Sequence, residues 1–184
     1  MGLHGLLTAG AGLVAMAGMA SWYVPPRVHP PPGVETWLFF DGVCNLCDGA
    51  VNFIFDHDSA ARVRFGAIQK HKELLKRSGA GQYAEGGAEA MSTLVLVQGS
   101  QVYVRSEAAL RTAALLDWPW NAVSAFLFVP APLRDAAYRL VAEHRYAVFG
   151  RKETCREPSG EFKRRFIEYR AEDDAAGKLP FLNA

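Results

Sequence analysis

The chain has 184 residues, 50% of them hydrophobic and 21% charged, with a formal net charge of +1. That length holds one domain plus extra segments, and the composition is that of a folded chain, not a disordered one. The even charge balance and the lack of any basic–aromatic stretch argue against a nucleic-acid partner. An odd count of 3 cysteines argues against a secreted disulfide scaffold.

Taken in order, the first 24 residues stand apart. From Gly5 to Val24 the sequence carries no charge, and a run of about 20 apolar residues is the length that crosses a bilayer. Trp22 and Tyr23 close it, where interfacial aromatics sit. A membrane anchor is the first reading of this apolar N-terminal helix. A removable targeting segment, with Ala20 before Ser21 as a cleavage site, and a buried hairpin are the alternatives. Residues 25–34 contain PPRVHPPPG, a stiff spacer in which consecutive prolines favour an extended path.

A domain is expected over residues 35–158. Thr36 to Phe40, TWLFF, reads as a buried strand, broken by Asp41 and Gly42. From Cys44 to Asp58, Leu46, Ala50, Val51, Phe53, Ile54 and Phe55 recur at helical spacing. Arg62 to Ile68 reads as a second strand, Lys70 to Arg77 as a short charged helix, and Gly79 to Ala90 as a loop. Thr93 to Arg105 reads as a hairpin turning at Gln98-Gly99-Ser100. Ser106 is a good helix N-cap for the run to Leu116. Further helices are expected near Ala122 to Phe128 and Leu133 to Phe149. Residues 159–184 hold an exposed basic helix, Ser159 to Arg170, and a tail. Strand, helix, strand, helix, hairpin, helix is the order of a thioredoxin-like α/β fold: a small mixed sheet flanked by helices, here with extra C-terminal helices.

The chemistry sits in FFDGVCNLCDG, Phe39 to Gly49. A strand enters a turn, and a helix begins at Cys44. The first turn of a helix leaves backbone N–H groups unpaired and carries partial positive charge. A thiol placed there falls to a pKa of about 3.5–7.5. Cys47, one turn on, is within reach. The candidate reaction is dithiol–disulfide exchange with a protein or small-molecule partner, in which Cys44 attacks and Cys47 resolves. A zinc site would need two more ligands; Cys155, His57, His71 and His144 are available, but there is no second Cys-x-x-Cys, and neither metal nor cofactor is expected. Asp41 either assists proton transfer at Cys47 or caps the turn, and the cap is favoured. Gly42 permits a turn or a close approach. Arg145 and Arg151 suit ion pairs that anchor the C-terminal helices. Cys155 is a second resolving thiol or a plain exposed one. Trp118 and Trp120 pack on the core or dip into a membrane interface.

The D-G-V-C-N-L-C segment resembles the D-x-x-C-x-x-C signature of the DCC family of thiol-disulfide oxidoreductases, also called domain of unknown function 393. Ser106 to Leu110, Pro130 to Tyr138 (PAPLRDAAY) and His144 to Gly150 (HRYAVFG) are similar to that family's later motifs. The resemblance spans about Thr36 to Cys155 and implies a thioredoxin-like fold and disulfide exchange. Where thioredoxins carry a cis-proline facing the cysteines, this sequence has Met91-Ser92-Thr93. The expected setting is membrane-associated, in an organelle such as a mitochondrion or plastid. The rival reading is a non-catalytic accessory subunit of a membrane complex.

Overall fold

The computed structural model describes residues 35–85, 93–155, 158 and 160–167. The apolar segment, the Pro-rich spacer, Met91-Ser92 and the C-terminal tail lie outside the described residues.

Four strands form one sheet in the order β2-β1-β3-β4. They are β1 (Thr36–Phe40), β2 (Val63–Ala67), β3 (Val95–Gln98) and β4 (Gln101–Val104). β1 pairs parallel with β2, Leu38 opposite Phe65, and antiparallel with β3, Leu38 opposite Leu96. β3 and β4 form the expected hairpin, closed by Gly99 and Ser100. Gly99 has φ +57°, a left-handed conformation glycine adopts without strain.

The helices are α1 (Asn45–His57), α2 (Lys72–Arg77), α3 (Gln82–Glu85), α4 (Arg105–Ala113) and α5 (Ala131–Phe149), with 3-10 segments at Trp120–Phe128 and Gly160–Arg165. This is the expected thioredoxin-like architecture. β1 explains its own sequence. All five residues are buried, because both faces of a central strand are covered, and such strands read as continuous apolar runs. Leu38 and Phe40 face Val51 and Ile54 of α1 and Ala108 of α4. Trp37 and Phe39 face Leu75 and Ala80 around α2. Each fully buried side chain of this size contributes about 1.5–3 kcal/mol.

Four local expectations are corrected. The stretch expected as loop from Gly79 to Ala90 contains α3, whose Ala84 packs under the sheet. Ser106 is not an N-cap: Val104 precedes the helix, and the Ser106 hydroxyl turns away from the backbone toward Asp135 and Arg134. The stretch Ala122 to Phe128 winds as a 3-10 segment, not an α-helix. Of the stretch expected as an exposed basic helix, Gly160–Arg165 is a 3-10 turn, with Phe162, Arg165 and Phe166 buried, and Ser159 and residues 168–170 lie outside the described residues. Phe162 and Phe166 pack on Phe65, and Arg165 pairs with buried Asp58. Phe162 and Arg165, three apart, share the inward side of the 3-10 turn, while Lys163 and Arg164 between them are exposed.

α5 turns polar side chains inward, and its outer face mixes apolar residues with exposed Arg139, Glu143 and His144. Arg134, Asp135, Tyr138, Arg145 and Tyr146 face the domain, whereas Leu133, Leu140, Val141, Val148 and Phe149 are exposed. Hydrogen bonds hold its inner face. Arg134 Nη1 donates to the Ser106 hydroxyl at 2.9 Å, and the Leu94 N–H donates to the Tyr138 oxygen at 2.9 Å. Arg145 Nη2 lies 3.0 Å from Asp41 Oδ2.

Candidate active site

The turn Asp41-Gly42-Val43 carries the chain from the buried end of β1 into α1. The Cys44 N–H donates to the Asp41 carbonyl at 3.3 Å. Cys44 is the N-cap of α1, with φ −88° and ψ 123°, and its sulfur accepts the Cys47 N–H at 3.4 Å. A sulfur here stands where Ser or Asp commonly caps a helix. The Cys47 thiol also donates to the Cys44 sulfur. That hydrogen bond does most to bring Cys44 from its ordinary 9.0 down to about 6. Burial opposes it, the Cys47 N–H and Arg145 assist, and Asp41 works against it. For the same reason Cys47 is pushed strongly up: it is the donor to Cys44, it is desolvated, and it lies beside a developing negative charge. The sulfurs are thus near neighbours, one poised as thiolate and one held as thiol. Both are free in this structure.

Exposure runs against the expected roles. Cys44 is 0% exposed, although a leading nucleophile should meet solvent. The chain leaving α5 covers it. Gly150 and Phe149 carbonyls accept from the Asn45 N–H and side-chain amide at 3.4 and 2.8 Å, and Arg151 pairs with Cys44 as an isolated bridge. Lys152 N donates to the Val43 carbonyl at 2.8 Å, and its Nζ lies 2.7 Å from Asp48 Oδ2. Gly150 has φ +81°, a backbone position that suits glycine where α5 turns into this strap. Cys47 is partly exposed and lines a pocket of about 250 Å³ whose wall is almost wholly apolar: Leu46, Val51, Ile54, Leu94, Ala109 and Val141. Asp41, Thr93, Tyr138 and Arg145 are its polar lining residues.

Asp41 is 2% exposed and fully engaged. Oδ1 accepts from the Val43 N–H at 3.2 Å and from Gln69 Nε2 at 2.7 Å. Oδ2 accepts from Arg145 Nη2 and from the Tyr146 hydroxyl. It caps the turn, as favoured, and also ties the cysteine loop to α5 and to the end of β2. The anchoring expected of Arg145 is this ion pair. Burial, with Asp41 as hydrogen-bond acceptor, pushes Tyr146 up to about 12. Gln69, Tyr138 and Tyr146 were not singled out from sequence; Tyr146 adjoins Arg145 in the HRYAVFG motif, and that adjacency was its only signal.

The remaining candidates sit apart. A Cβ on Gly42 would fall 2.9 Å from the Ala67 Cβ and 3.0 Å from the Cys155 sulfur, so Gly42 serves a close approach, and Cys155 is half-buried against the turn. Arg151 is exposed, 5.6 Å from the Tyr146 ring. Trp120 packs on the Phe53 and His57 rings, whereas Trp118 is 79% exposed. The ring nitrogens of His57 and His144 face Phe53 and Leu140 carbonyls, and no three His, Cys, Asp or Glu converge as a metal site among the described residues.

A thioredoxin-like sheet with a Cys-x-x-Cys pair at the start of its first helix defines a dithiol domain. The chain belongs to the DCC1-like thiol-disulfide oxidoreductase family, whose model matches residues 38–151. It is 37% identical over 151 residues to the uncharacterized protein YuxK of Bacillus subtilis (strain 168), covering 81% of this chain and 99% of that one. It is 42% identical over 121 residues to a chloroplastic DCC family protein of Arabidopsis thaliana, covering 64% of this chain and 67% of that one. No solved structure matches. The general chemistry is therefore thiol–disulfide redox.

Proposed function

We propose that this chain exchanges electrons with thiol or disulfide substrates through Cys44 and Cys47. The observation that carries the reading is the Cys44 sulfur at the helix start, accepting the Cys47 N–H at 3.4 Å. A charge so placed is stabilised by the Cys47 N–H and by the partial positive charge of the helix start. Asp41, pinned by four donors, acts as a positioning residue for the turn. The test is a redox titration of the full chain. A reversible two-electron couple is expected, lost in Cys44→Ser and Cys47→Ser and kept in Cys155→Ser. No couple in the unsubstituted chain would overturn the reading.

A membrane-side location is the second part of the proposal. The uncharged run from Gly5 to Val24 supports it, as do the outward Phe126, Phe128, Leu133, Leu140 and Val148. Patches of this kind mark protein or membrane contacts. Among the described residues no helix is long and apolar enough to cross a membrane. The full chain is expected to float with phosphatidylcholine vesicles, and the double variant Leu140→Glu, Val148→Glu to float less; a chain that stays with the soluble fraction refutes this part. Co-purification with a large assembly, together with no redox couple, would favour the accessory-subunit reading.

A further inference from the structure

Two apolar hollows meet beside Cys47. The pocket at the thiol shares Ala109, Tyr138 and Val141 with a second, more open groove of about 560 Å³ between α4, α5 and the 3-10 segment. Leu110, Phe126, Val129 and Leu133 line the outer part. Together they make a trench that begins at Leu133 and Ala137 of α5 and ends at one sulfur. That sulfur belongs to Cys47. Cys44 does not line either hollow and is sealed by the strap after α5.

We infer that a thiol carried on an apolar chain enters this trench and forms its mixed disulfide with Cys47, Cys44 being the leaving sulfur. The inference rests on the exchange reading above and deepens it. In the oxidised protein the Cys44–Cys47 bond presents Cys47 to the trench. An incoming thiolate attacks the Cys47 sulfur, the Cys44–Cys47 bond breaks, and Cys44 departs as a thiolate. Departure is fast when the leaving thiol is acidic, and Cys44 is the acidic one of the pair. The second thiol of a dithiol substrate then attacks the substrate's own sulfur and releases Cys47, which takes up a proton. The substrate loses two electrons and closes a disulfide; the protein gains them as a Cys44 thiolate and a Cys47 thiol. The trench favours an alkyl or aryl dithiol over a polar, charged one. Its walls offer little polar surface, and its two cations are already engaged, Arg145 with Asp41 and Arg134 with Ser106 and Glu107.

The experiment takes the full chain, oxidised, with excess hexane-1-thiol or 2-mercaptoethanol at equal thiolate concentration. An early acid quench, maleimide capping and fragment mass spectrometry then locate the adduct. The expected result is hexanethiol on Cys47 with maleimide on Cys44. Hexanethiol should react at least about tenfold faster, the gain from burying about two methylene groups. An adduct on Cys44, or equal rates for the two thiols, overturns the inference and leaves disulfide exchange standing. A disulfide that neither probe nor dithiothreitol opens overturns both.

Discussion

Replacing Cys47 by Ala removes the hydrogen bond that does most to keep Cys44 ionised. A thiol lowered from 9.0 to about 6 holds its charged form better by about 4 kcal/mol, at 1.36 kcal/mol per unit. At pH 7 about nine in ten Cys44 side chains are then thiolate, against about one in a hundred for a thiol left unperturbed. The folded value lies below the unfolded one, so the stabilisation of the reduced fold is complete above pH 9 and is lost as the pH falls through about 6. Only part of it remains at pH 7. In Cys47→Ala the backbone N–H at position 47 and Arg145 still lower Cys44, while burial and Asp41 raise it. The thiol should climb back toward its ordinary value. The assay is ultraviolet absorbance of the thiolate against pH, with Cys155→Ser in both proteins so that no third thiol contributes. It needs no reagent to reach the covered sulfur. A Cys47→Ala protein that still ionises near pH 6 refutes the reasoning and moves the cause to the helix start and Arg145.

The same ionisation fixes how the redox potential follows pH. It should fall by about 59 mV per unit below pH 6, where two protons accompany two electrons, and by about 30 mV above it; an unbroken slope through pH 8 contradicts a thiolate at Cys44. Arg165→Met strands the buried Asp58 carboxylate, whose Oδ2 accepts from Arg165 and from the Val63 N–H. Urea unfolding should show a loss of about 3–5 kcal/mol, partly recovered by adding Asp58→Asn. Gly42→Ala forces a Cβ against Ala67 and Cys155 and should cost about 1–3 kcal/mol in the same assay; an unchanged midpoint would mean the turn is not closely packed.

Much of the fold was legible because β1 and α1 obey simple periodicities. TWLFF is apolar throughout, as a doubly covered strand must be, and Val51 and Ile54 fall where the helical stripe puts them. The hairpin was marked by its glycine. What escaped reading depended on partners distant in sequence. Ser106 looks like a cap until Asp135, 29 residues later, claims its hydroxyl. The basic stretch ending at Arg165 looks solvated until Asp58 and Phe65 are placed beside it. At the site, the motif located both sulfurs but not their exposure, because the cover over Cys44 comes from Gly150 to Lys152, more than a hundred positions on. Asp41 likewise reads as a turn residue locally and gains its Arg145 and Tyr146 partners only in the folded chain.

The family match ends at residue 151, yet the protein's closure does not. Phe166 runs alongside Phe65 on β2, one of the two edge strands, and Arg165 bonds the Val63 carbonyl at 2.8 Å. Excising the molecule at the match boundary would bare that rim of backbone donors and acceptors. Such a rim invites pairing with another molecule, so a domain trimmed at that boundary should associate strand to strand more than the full chain does.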